Sequence, residues 1–211
     1  MAMLNERGQV NLMGKVVAQI TTSLDGRITG PNDGPGRGLG EGGERLHYWV
    51  FGGPWSYEQP TTGEATGADK EILDELPERI GAVIGGRRTY EAAEAWGGEN
   101  PWNLPFFIVT HRPEDEPESG EFRFVNGLDQ ALALAKEAAG PKDVSIMGGA
   151  DLIRQALASG DVDELVVSIA PVVLGSGKRL FEGFDKTVGL EPVSAIQSPW
   201  ATHLRYRVAP A

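Results

Sequence analysis

The segment VSIMGGADLIRQAL, residues 144–157, passes from a short apolar run through two adjacent glycines into a stretch with helical apolar spacing. Two glycines at this point are unexpected, because alanine stabilises a helix by about 1 kcal/mol relative to glycine. A helix N-terminus presents unpaired backbone N–H groups, and glycine lets a phosphate approach them without a Cβ in the way. Gly148 and Gly149 therefore predict either a tight turn or one wall of a phosphate site.

A second junction, AVIGGRRTYE at residues 82–91, has the same design. In open α/β sheets, ligands bind beyond the carboxyl ends of the strands, where both junctions would lie, so together they predict a diphosphate cradle. Arg87, Arg88 and Thr89 place two cations and a hydroxyl at the start of a helix, where the helix dipole disfavours cations unless an anion lies between them. A third segment, VTHRP at residues 109–113, predicts either another phosphate contact or an exposed turn.

Strand and helix patterns alternate around these junctions. Apolar, β-branched runs predict strands at residues 15–23, 79–86, 104–113, 121–126 and 143–149, and amphipathic runs predict helices at 68–78, 87–96, 128–140 and 150–160. Such alternation indicates an α/β fold whose largely parallel sheet has helices on its faces. Residues 162–175, 189–198 and 200–208 predict three more strands with no full helix between the last two, so we expect antiparallel pairs and a mixed sheet.

A long excursion, at about residues 31–67, separates the first strand from the first helix and is rich in glycine and proline. Within it, the segment ERLHYWVF at residues 44–51 has the spacing of a short helix. A loop of this length in a compact domain is usually a functional lid or disordered. Its aromatic side chains favour a packed lid, and they are Tyr48, Trp49, Phe51, Trp55 and Tyr57.

The composition narrows the possible classes of protein. At 211 residues, we expect one domain at residues 15–211, preceded by a flexible tail at 1–14. The formal net charge of -11 argues against nonspecific binding to nucleic acid or to an anionic membrane, since both rely on a basic face. No run resembles a signal peptide or a membrane span, which predicts a cytoplasmic protein.

Missing residues and motifs exclude several kinds of catalysis. The chain has no cysteine, which removes disulfides, a cysteine nucleophile and the thiolate zinc site of cytidine-type deaminases. His47, His111 and His203 lack metal-ligand spacing, so we expect no metal site. The glycines of residues 34–40 have the wrong spacing for a dinucleotide fingerprint, residues 172–181 lack the first glycine of a P-loop, and no G-x-S-x-G elbow occurs.

Five segments occur in an order that resembles the dihydrofolate reductase-like superfamily. They are VVAQITTSLDGRITG (16–30), AVIGGRRTYEAAEAW (82–96), PFFIVTHRP (105–113), SIMGGADLIRQAL (145–157) and DELVVSIAPVVLGSGKRLF (163–181). Within it, the chain resembles the reductase domain of the bifunctional riboflavin-biosynthesis deaminase-reductase and its stand-alone relatives. The resemblance covers residues 16–208 and implies a three-layer α/β fold with a mixed, mostly parallel sheet of eight to nine strands and flanking helices.

The resemblance also implies an activity. NADPH would bind along the carboxyl edge of the sheet, and hydride would pass to a small heterocyclic (pterin or aminopyrimidine-like) or carbonyl substrate. A homodimer is implied too, with DELVVSIAPVVL at residues 163–174 as the candidate interface. Two alternatives stay open: a non-catalytic NADP(H)-binding protein that retains the fold, and an enzyme that uses a flavin or another dinucleotide.

The cofactor contacts that the resemblance implies come from all three junctions and the first strand. Arg87 would meet the adenosine 2′-phosphate, with Gly86, Arg88 and Thr89 at the diphosphate. The adenine ribose and its phosphate would be framed by Thr110, His111 and Arg112. The nicotinamide would lie beside Ala18 and Ile28. The diphosphate and the nicotinamide ribose would be wrapped by Met147, Gly148, Gly149, Ala150, Asp151, Leu152 and Ile153.

Two carboxylates are the candidate catalytic groups. Asp25, in the segment SLDG, is common near the reaction centre in the riboflavin branch, and it could equally form an Asp-Gly turn. Glu44 is the nearest counterpart of the acidic side chain with which dihydrofolate reductases hold the pterin. Either one would donate or orient a proton, with its pKa raised by an apolar lid.

The substrate side would be lined by aromatic residues of the excursion. Trp49, Phe51 and Trp55 are the candidates, although aromatic residues in such a segment could also be ordinary core. Lys178, in the segment GSGKR, would take a substrate phosphate or lie in a solvated turn.

Overall fold

The computed structural model describes residues 3–4, 10–11, 14–61 and 63–209. Two short strands, β1 (Met3–Leu4) and β2 (Val10–Asn11), pair antiparallel with each other. The main sheet contains β3 (Val16–Ser23), β4 (Ile80–Gly86), β5 (Phe106–Thr110), β6 (Arg123–Asn126), β7 (Asp143–Ile146), β8 (Glu164–Ala170), β9 (Leu190–Gln197) and β10 (Thr202–Val208). The α-helices are α1 (Gly67–Arg79), α2 (Arg87–Ala92), α3 (Leu128–Ala139) and α4 (Ala150–Ser159).

The eight strands of the main sheet follow the order β6-β5-β4-β7-β3-β8-β10-β9. Neighbouring strands from β6 to β8 are parallel, whereas β10 is antiparallel to both β8 and β9. Only residues 198–201 connect β9 to β10, and a link this short permits only antiparallel pairing. The predicted mixed, mostly parallel sheet with flanking helices is confirmed.

The central strands are buried because helices cover them. Small side chains of α3, such as Ala131 and Ala135, let this helix pack closely on the sheet, and Leu132 fills the space beside them. Helix α4 contributes Ile153 and Ala156 to the same core cluster, and neither is exposed to solvent. No helix in the described part of the chain is long and apolar enough to cross a membrane.

The long excursion has little regular structure. Its predicted helix at residues 44–51 is wrong in extent, because only a 3-10 turn over Gly43–His47 forms. Leu46 and Trp49 from this region are nevertheless buried, so the segment is packed onto the rest of the protein. Residue 62 of the excursion lies outside the described residues.

The helix after β4 is shorter than predicted, and the predicted tail is only partly described. The helix predicted at residues 87–96 ends at Ala92, because Ala95 and Trp96 have positive φ angles of 53° and 51°. Trp96 thereby turns into an aromatic cluster and stacks on Phe122, with the ring centroids 5.7 Å apart. The flexible tail expected at residues 1–14 lies largely outside the described residues, which there include the β1–β2 pair.

Candidate functional site

Two adjacent strands diverge at the carboxyl edge of the sheet. The chain leaves β4 through α2 towards β5 on one side, whereas it leaves β7 through α4 and crosses β3 to reach β8 on the other. Strands β4 and β7 are hydrogen-bonded neighbours, so a crevice opens between their carboxyl ends. Both glycine-rich junctions lie at this crevice.

The two junctions are in direct contact. The backbone N–H of Gly86 donates a hydrogen bond to the carbonyl oxygen of Gly148 at 3.3 Å. A Cβ on Gly149 would lie 3.4 Å from Thr89 Oγ1, and one on Gly148 would lie 3.3 Å from Ile20 Cδ1. Gly148 also has a φ of 95°, and the peptide bond that joins it to Gly149 is cis. A Cβ at either position would thus occupy space beside Thr89 or Ile20, and the choice between a turn and a phosphate wall stays a prediction.

The start of α4 carries the free donors of the crevice. The backbone N–H of Ile153 donates to the carbonyl oxygen of Gly149 at 3.2 Å. The N–H groups of Ala150, Asp151 and Leu152 precede it and make no backbone hydrogen bond within the described residues. These groups, with the helix dipole behind them, can bind an anion.

Burial corrects part of the predicted cofactor set. The side chains of Ala150, Leu152 and Ile153 point into the core, so this run can contact a ligand only through its backbone. The N–H of Ile153 is also occupied, so its contact with the cofactor stays a prediction without a free backbone donor to support it. Ala18, the third residue of β3, is completely buried, and its contact with the nicotinamide stays a prediction.

The residue that β3 presents to the crevice is Ile20, which the sequence analysis missed. Its Cδ1 faces Gly148, and its side chain is only partly buried. Ile28 is also partly buried and packs on the same core cluster. Ile20 is the last apolar residue before the polar carboxyl end of β3, Thr21 to Ser23, and this position is the sequence signal that indicates it.

At the outer end of the crevice, four side chains form what we call the charge ring: Arg87, Glu91, Arg112 and Asp115. Glu91 Oε1 lies 2.7 Å from Arg87 Nε and 3.7 Å from Arg112 Nη2. Asp115 Oδ2 lies 3.3 Å from Arg87 Nη2 and 3.4 Å from Arg112 Nε. Both arginines were expected at the site from the sequence pattern, whereas the two carboxylates were not.

The remaining predicted residues of this region differ in exposure. Arg88 and His111 are exposed, and Thr89 is half-buried beside Gly149. Thr110 is buried, and its hydroxyl accepts a hydrogen bond from the backbone N–H of Arg112 at 3.0 Å. Thr110 therefore shapes the turn that carries Arg112.

Asp25 is held as an anion. Its Oδ1 accepts hydrogen bonds from Ser23 Oγ at 2.7 Å and from the backbone N–H of Leu174 at 3.0 Å, and its Oδ2 accepts from the N–H of Gly175 at 2.9 Å. The hydrogen bonds from Ser23 and Leu174 hold the pKa of Asp25 well below its usual range. This direction is opposite to the rise of the pKa that was expected from the sequence.

Glu44 has the opposite environment. It is buried in the 3-10 turn, and within the described residues its carboxylate makes no hydrogen bond or ion pair. Burial raises the pKa of the nearby Tyr57, and the negative charge of Glu44 adds to the rise. The Tyr57 hydroxyl oxygen accepts a hydrogen bond from the N–H of Leu39 at 2.7 Å. Glu44 is thus the candidate catalytic group that is left without a protein partner in the described chain.

The three aromatic substrate candidates differ. Trp49 is buried, and its indole Nε1 donates to Thr21 Oγ1 at 3.1 Å, so it behaves as core. Phe51 and Trp55 are half-buried and meet edge to face, with ring centroids 5.2 Å apart. Trp55 Nε1 is buried and has no hydrogen-bond partner in the described residues. Lys178 is not a free cation, because its Nζ pairs with Asp33.

A buried Ser-His-Asp network also escaped the sequence analysis. His203 on β10 joins Ser168 on β8 to Asp69 on α1, and all three side chains are buried. The network is buried, and its hydrogen bonds attach α1 to the sheet. The described residues contain no group of side chains suited to a metal ion.

A separate depression of about 640 Å³ lies between the start of α3 and the end of α4. It is lined by residues such as Asn126, Gln155 and Lys186, and none of the predicted site residues contributes to it. The crevice between β4 and β7, rather than this open groove, contains the converging donors.

The sequence is similar to those of known proteins. A family model described as the RibD C-terminal domain matches residues 14–200. Among relatives from Bacillus subtilis (strain 168), YwjB is 27% identical over 128 residues, which cover 60% of this chain and 73% of YwjB. YyaP is 45% identical over 131 residues, which cover 55% of this chain and 67% of YyaP.

Solved structures show the same fold. A candidate riboflavin biosynthesis protein from Shewanella sp. PV-4 has a TM-score of 0.69 at 20% identity, covering 93% of this chain and 99% of its own. Dihydrofolate reductase from Enterococcus faecalis, complexed with NADP(H) and RAB-propyl, has a TM-score of 0.61 at 17% identity, covering 94% and 99%. The riboflavin biosynthesis reductase Rib7 of Saccharomyces cerevisiae has a TM-score of 0.57 at 16% identity, covering 98% and 95%. The fold is therefore dihydrofolate reductase-like.

Proposed function

Because the chain belongs to the RibD C-terminal domain family, we propose that it is an NADPH-dependent reductase. Its substrate would be a small heterocycle of the pterin or aminopyrimidine kind, or a carbonyl compound. The observation that carries the proposal is the contact between the two glycine junctions at the crevice, with Arg87 and Arg112 at its outer end.

The residues present fit a dinucleotide phosphate. The free N–H groups at the start of α4 suit a diphosphate, and the spaces beside Gly148 and Gly149, which a Cβ would fill, allow it to approach. Arg87 and Arg112 place two guanidinium groups at the outer end of the crevice, where they can donate to phosphate oxygens. Fixed backbone dipoles and a guanidinium of this kind favour a polyanionic ligand.

NADPH, when bound, supplies the hydride. The protein would hold its phosphates through α4 and the arginines, while Ile20 and Ile28 would exclude water on the side of β3. The chain's own contribution is thus binding, orientation and exclusion of solvent.

Glu44 would orient the substrate. Its carboxylate has no partner in the described chain, so it can accept hydrogen bonds from the N–H groups of a heterocycle. Phe51 and Trp55 are half-buried, and their rings would offer an apolar wall to the substrate. Asp25 would instead fix the loop that follows β3.

We also propose a cytoplasmic homodimer. Strand β8 has both edges paired, by β3 and β10, so an edge-to-edge dimer through residues 163–174 is not available. The edge strand β9 is exposed along its whole length and carries Leu190, Val193 and Ile196 in contact with solvent. An apolar edge of this kind favours association through β9. The absence of cysteine suits a reducing cytoplasm.

The first test is titration with NADPH, followed by protein fluorescence from the five tryptophans. We expect saturable quenching, and no binding up to about 1 mM cofactor would overturn the proposal. Oxidation of NADPH is then measured with pterin, aminouracil and quinonoid substrates. Binding without turnover on any of them would favour the non-catalytic alternative.

A further inference from the structure

In the charge ring, a carboxylate lies at each of the two points where Arg87 and Arg112 approach each other. Glu91 Oε1 contacts both guanidinium groups, and Asp115 Oδ2 does the same from the other side. A single oxygen that bridges two guanidinium groups is also how a phosphate engages a pair of arginines. We propose that Glu91 and Asp115 compete with the 2′-phosphate of the cofactor and thereby reduce the preference for NADPH over NADH, an inference that rests on the proposed function.

The ring is balanced in charge before any ligand binds. Two guanidinium groups and two carboxylates sum to zero, so a phosphate monoester meets no net attraction from the ring as a whole. To bind Arg87 and Arg112 together, the phosphate must displace at least one carboxylate. The affinity for NADPH is therefore lower than two unpaired arginines would provide.

The geometry permits this displacement. Arg87 is fixed from below, because its guanidinium lies 4.9 Å from the ring centroid of Phe124 and its Nη1 is buried. The carboxylates are less constrained, since the side chains of Glu91 and Asp115 are 44% and 37% exposed. Exposed ion pairs contribute little free energy and are screened by salt, so a carboxylate can rotate into solvent while Arg87 stays in place.

The competition would act on NADPH alone, so the carboxylates would narrow the difference in affinity between NADPH and NADH. NADH has no 2′-phosphate, so its binding displaces no carboxylate from the arginines. Its affinity is therefore not reduced. A substitution that removes one carboxylate charge should tighten NADPH about fivefold and leave NADH unchanged, as expected for one exposed charge pair. Glu91→Gln and Asp115→Asn each make this change with little change in shape.

The experiment measures Kd for NADPH and for NADH by isothermal titration calorimetry on the full chain. It compares the unmodified protein with Glu91→Gln, Asp115→Asn and the control Glu114→Gln. Glu114 is exposed in the same 3-10 turn as Asp115 and has no ion pair in the described residues, so its substitution changes net charge equally without opening the ring. Thermal unfolding of each variant verifies that the fold is kept.

The result expected is a lower Kd for NADPH in both ring variants, an unchanged Kd for NADH, and no effect of Glu114→Gln. An unchanged or higher Kd for NADPH in the ring variants would overturn the inference, because the carboxylates would then only position the arginines. An equal gain in Glu114→Gln would overturn it too, in favour of overall charge. If the unmodified protein bound neither cofactor, the proposed function itself would fail, and the inference with it.

Discussion

His203 Nε2 lies 2.8 Å from Asp69 Oδ1, and both side chains are almost completely buried. The other ring nitrogen of His203 lies 2.8 Å from Ser168 Oγ. We expect Asp69→Ala to lower the free energy of unfolding by about 1 to 5 kcal/mol, with a lost neutral hydrogen bond at the low end and a broken buried ion pair at the high end. Urea unfolding at pH 7 measures the loss.

A control for this substitution lies on the same helix. Asp74 on α1 pairs with Lys70, and both side chains are more than half exposed. Asp74→Ala should change the unfolding free energy by less than about 1 kcal/mol. Equal losses in the two variants would show that the buried network contributes nothing special.

The two candidate catalytic carboxylates should separate by experiment. Glu44→Gln is expected to lower kcat/KM by about 100-fold with little change in melting temperature, because the carboxylate serves the substrate rather than the fold. Steady-state assays and thermal unfolding of the same preparation measure both effects. A fully active Glu44→Gln enzyme would remove Glu44 from the mechanism.

Asp25→Asn should do the reverse. The carboxylate accepts three hydrogen bonds, so its neutral replacement is expected to lower the melting temperature and to leave the pH profile of any turnover in place. The pKa of Asp25 is lowered in the folded protein, so its contribution to stability is present at neutral pH and is lost as acid protonates it. Lost turnover at an unchanged melting temperature would instead indicate a chemical role.

Gly149→Ala should weaken both cofactors equally. The added Cβ would lie 3.4 Å from Thr89 Oγ1, in the space through which a diphosphate reaches the start of α4. NADPH and NADH share the diphosphate, so their Kd values should rise by the same factor, about tenfold or more if one charge-assisted hydrogen bond is lost. Arg87→Gln is the matched comparison, because it should weaken NADPH far more than NADH. A selective effect of Gly149→Ala would place the diphosphate elsewhere.

Stability should fall below neutral pH because of His47. Burial lowers its pKa from 6.5 to about 4, so the unfolded chain binds the proton more readily than the folded protein does. The resulting stability is complete above about pH 6.5 and is lost as the pH falls towards 4, by about 1.4 kcal/mol for each pH unit within this window. Guanidinium unfolding at pH 7 and pH 5 measures the slope. His47→Gln should reduce the slope, whereas replacement of the exposed His111 should not.

The regular elements were predictable from the sequence because their apolar runs end at turn-forming residues. Strand β4 and helix α4 begin and end within about one residue of the predicted limits, since glycines mark their ends. The helix after β4 was predicted too long, because its amphipathic spacing continues through Trp96, which aromatic packing pulls out of the helix. The division into a tail and one domain stays a prediction.

The site was less predictable because its contacts join distant segments. Nothing near Asp25 in the sequence indicates that it accepts hydrogen bonds from residues 174 and 175. Likewise, Glu91 and Asp115 resemble ordinary surface acids until the folded chain brings them to the same arginines. Glycine pairs and arginines could be found from local pattern, whereas partners that depend on tertiary contact could not.

The loop after β3 and the loop after β8 are fastened together at many points. Besides the hydrogen bonds of Asp25, Arg27 Nη2 donates to the carbonyl oxygen of Gly175 at 2.9 Å. The backbone N–H of Ile28 donates to the carbonyl oxygen of Lys178 at 2.8 Å. Neither loop can move without the other, so we expect the two loops to move as one rigid unit. The excursion is tied to the same unit, because Asp33 pairs with Lys178 and Trp49 is buried against Thr21 of β3.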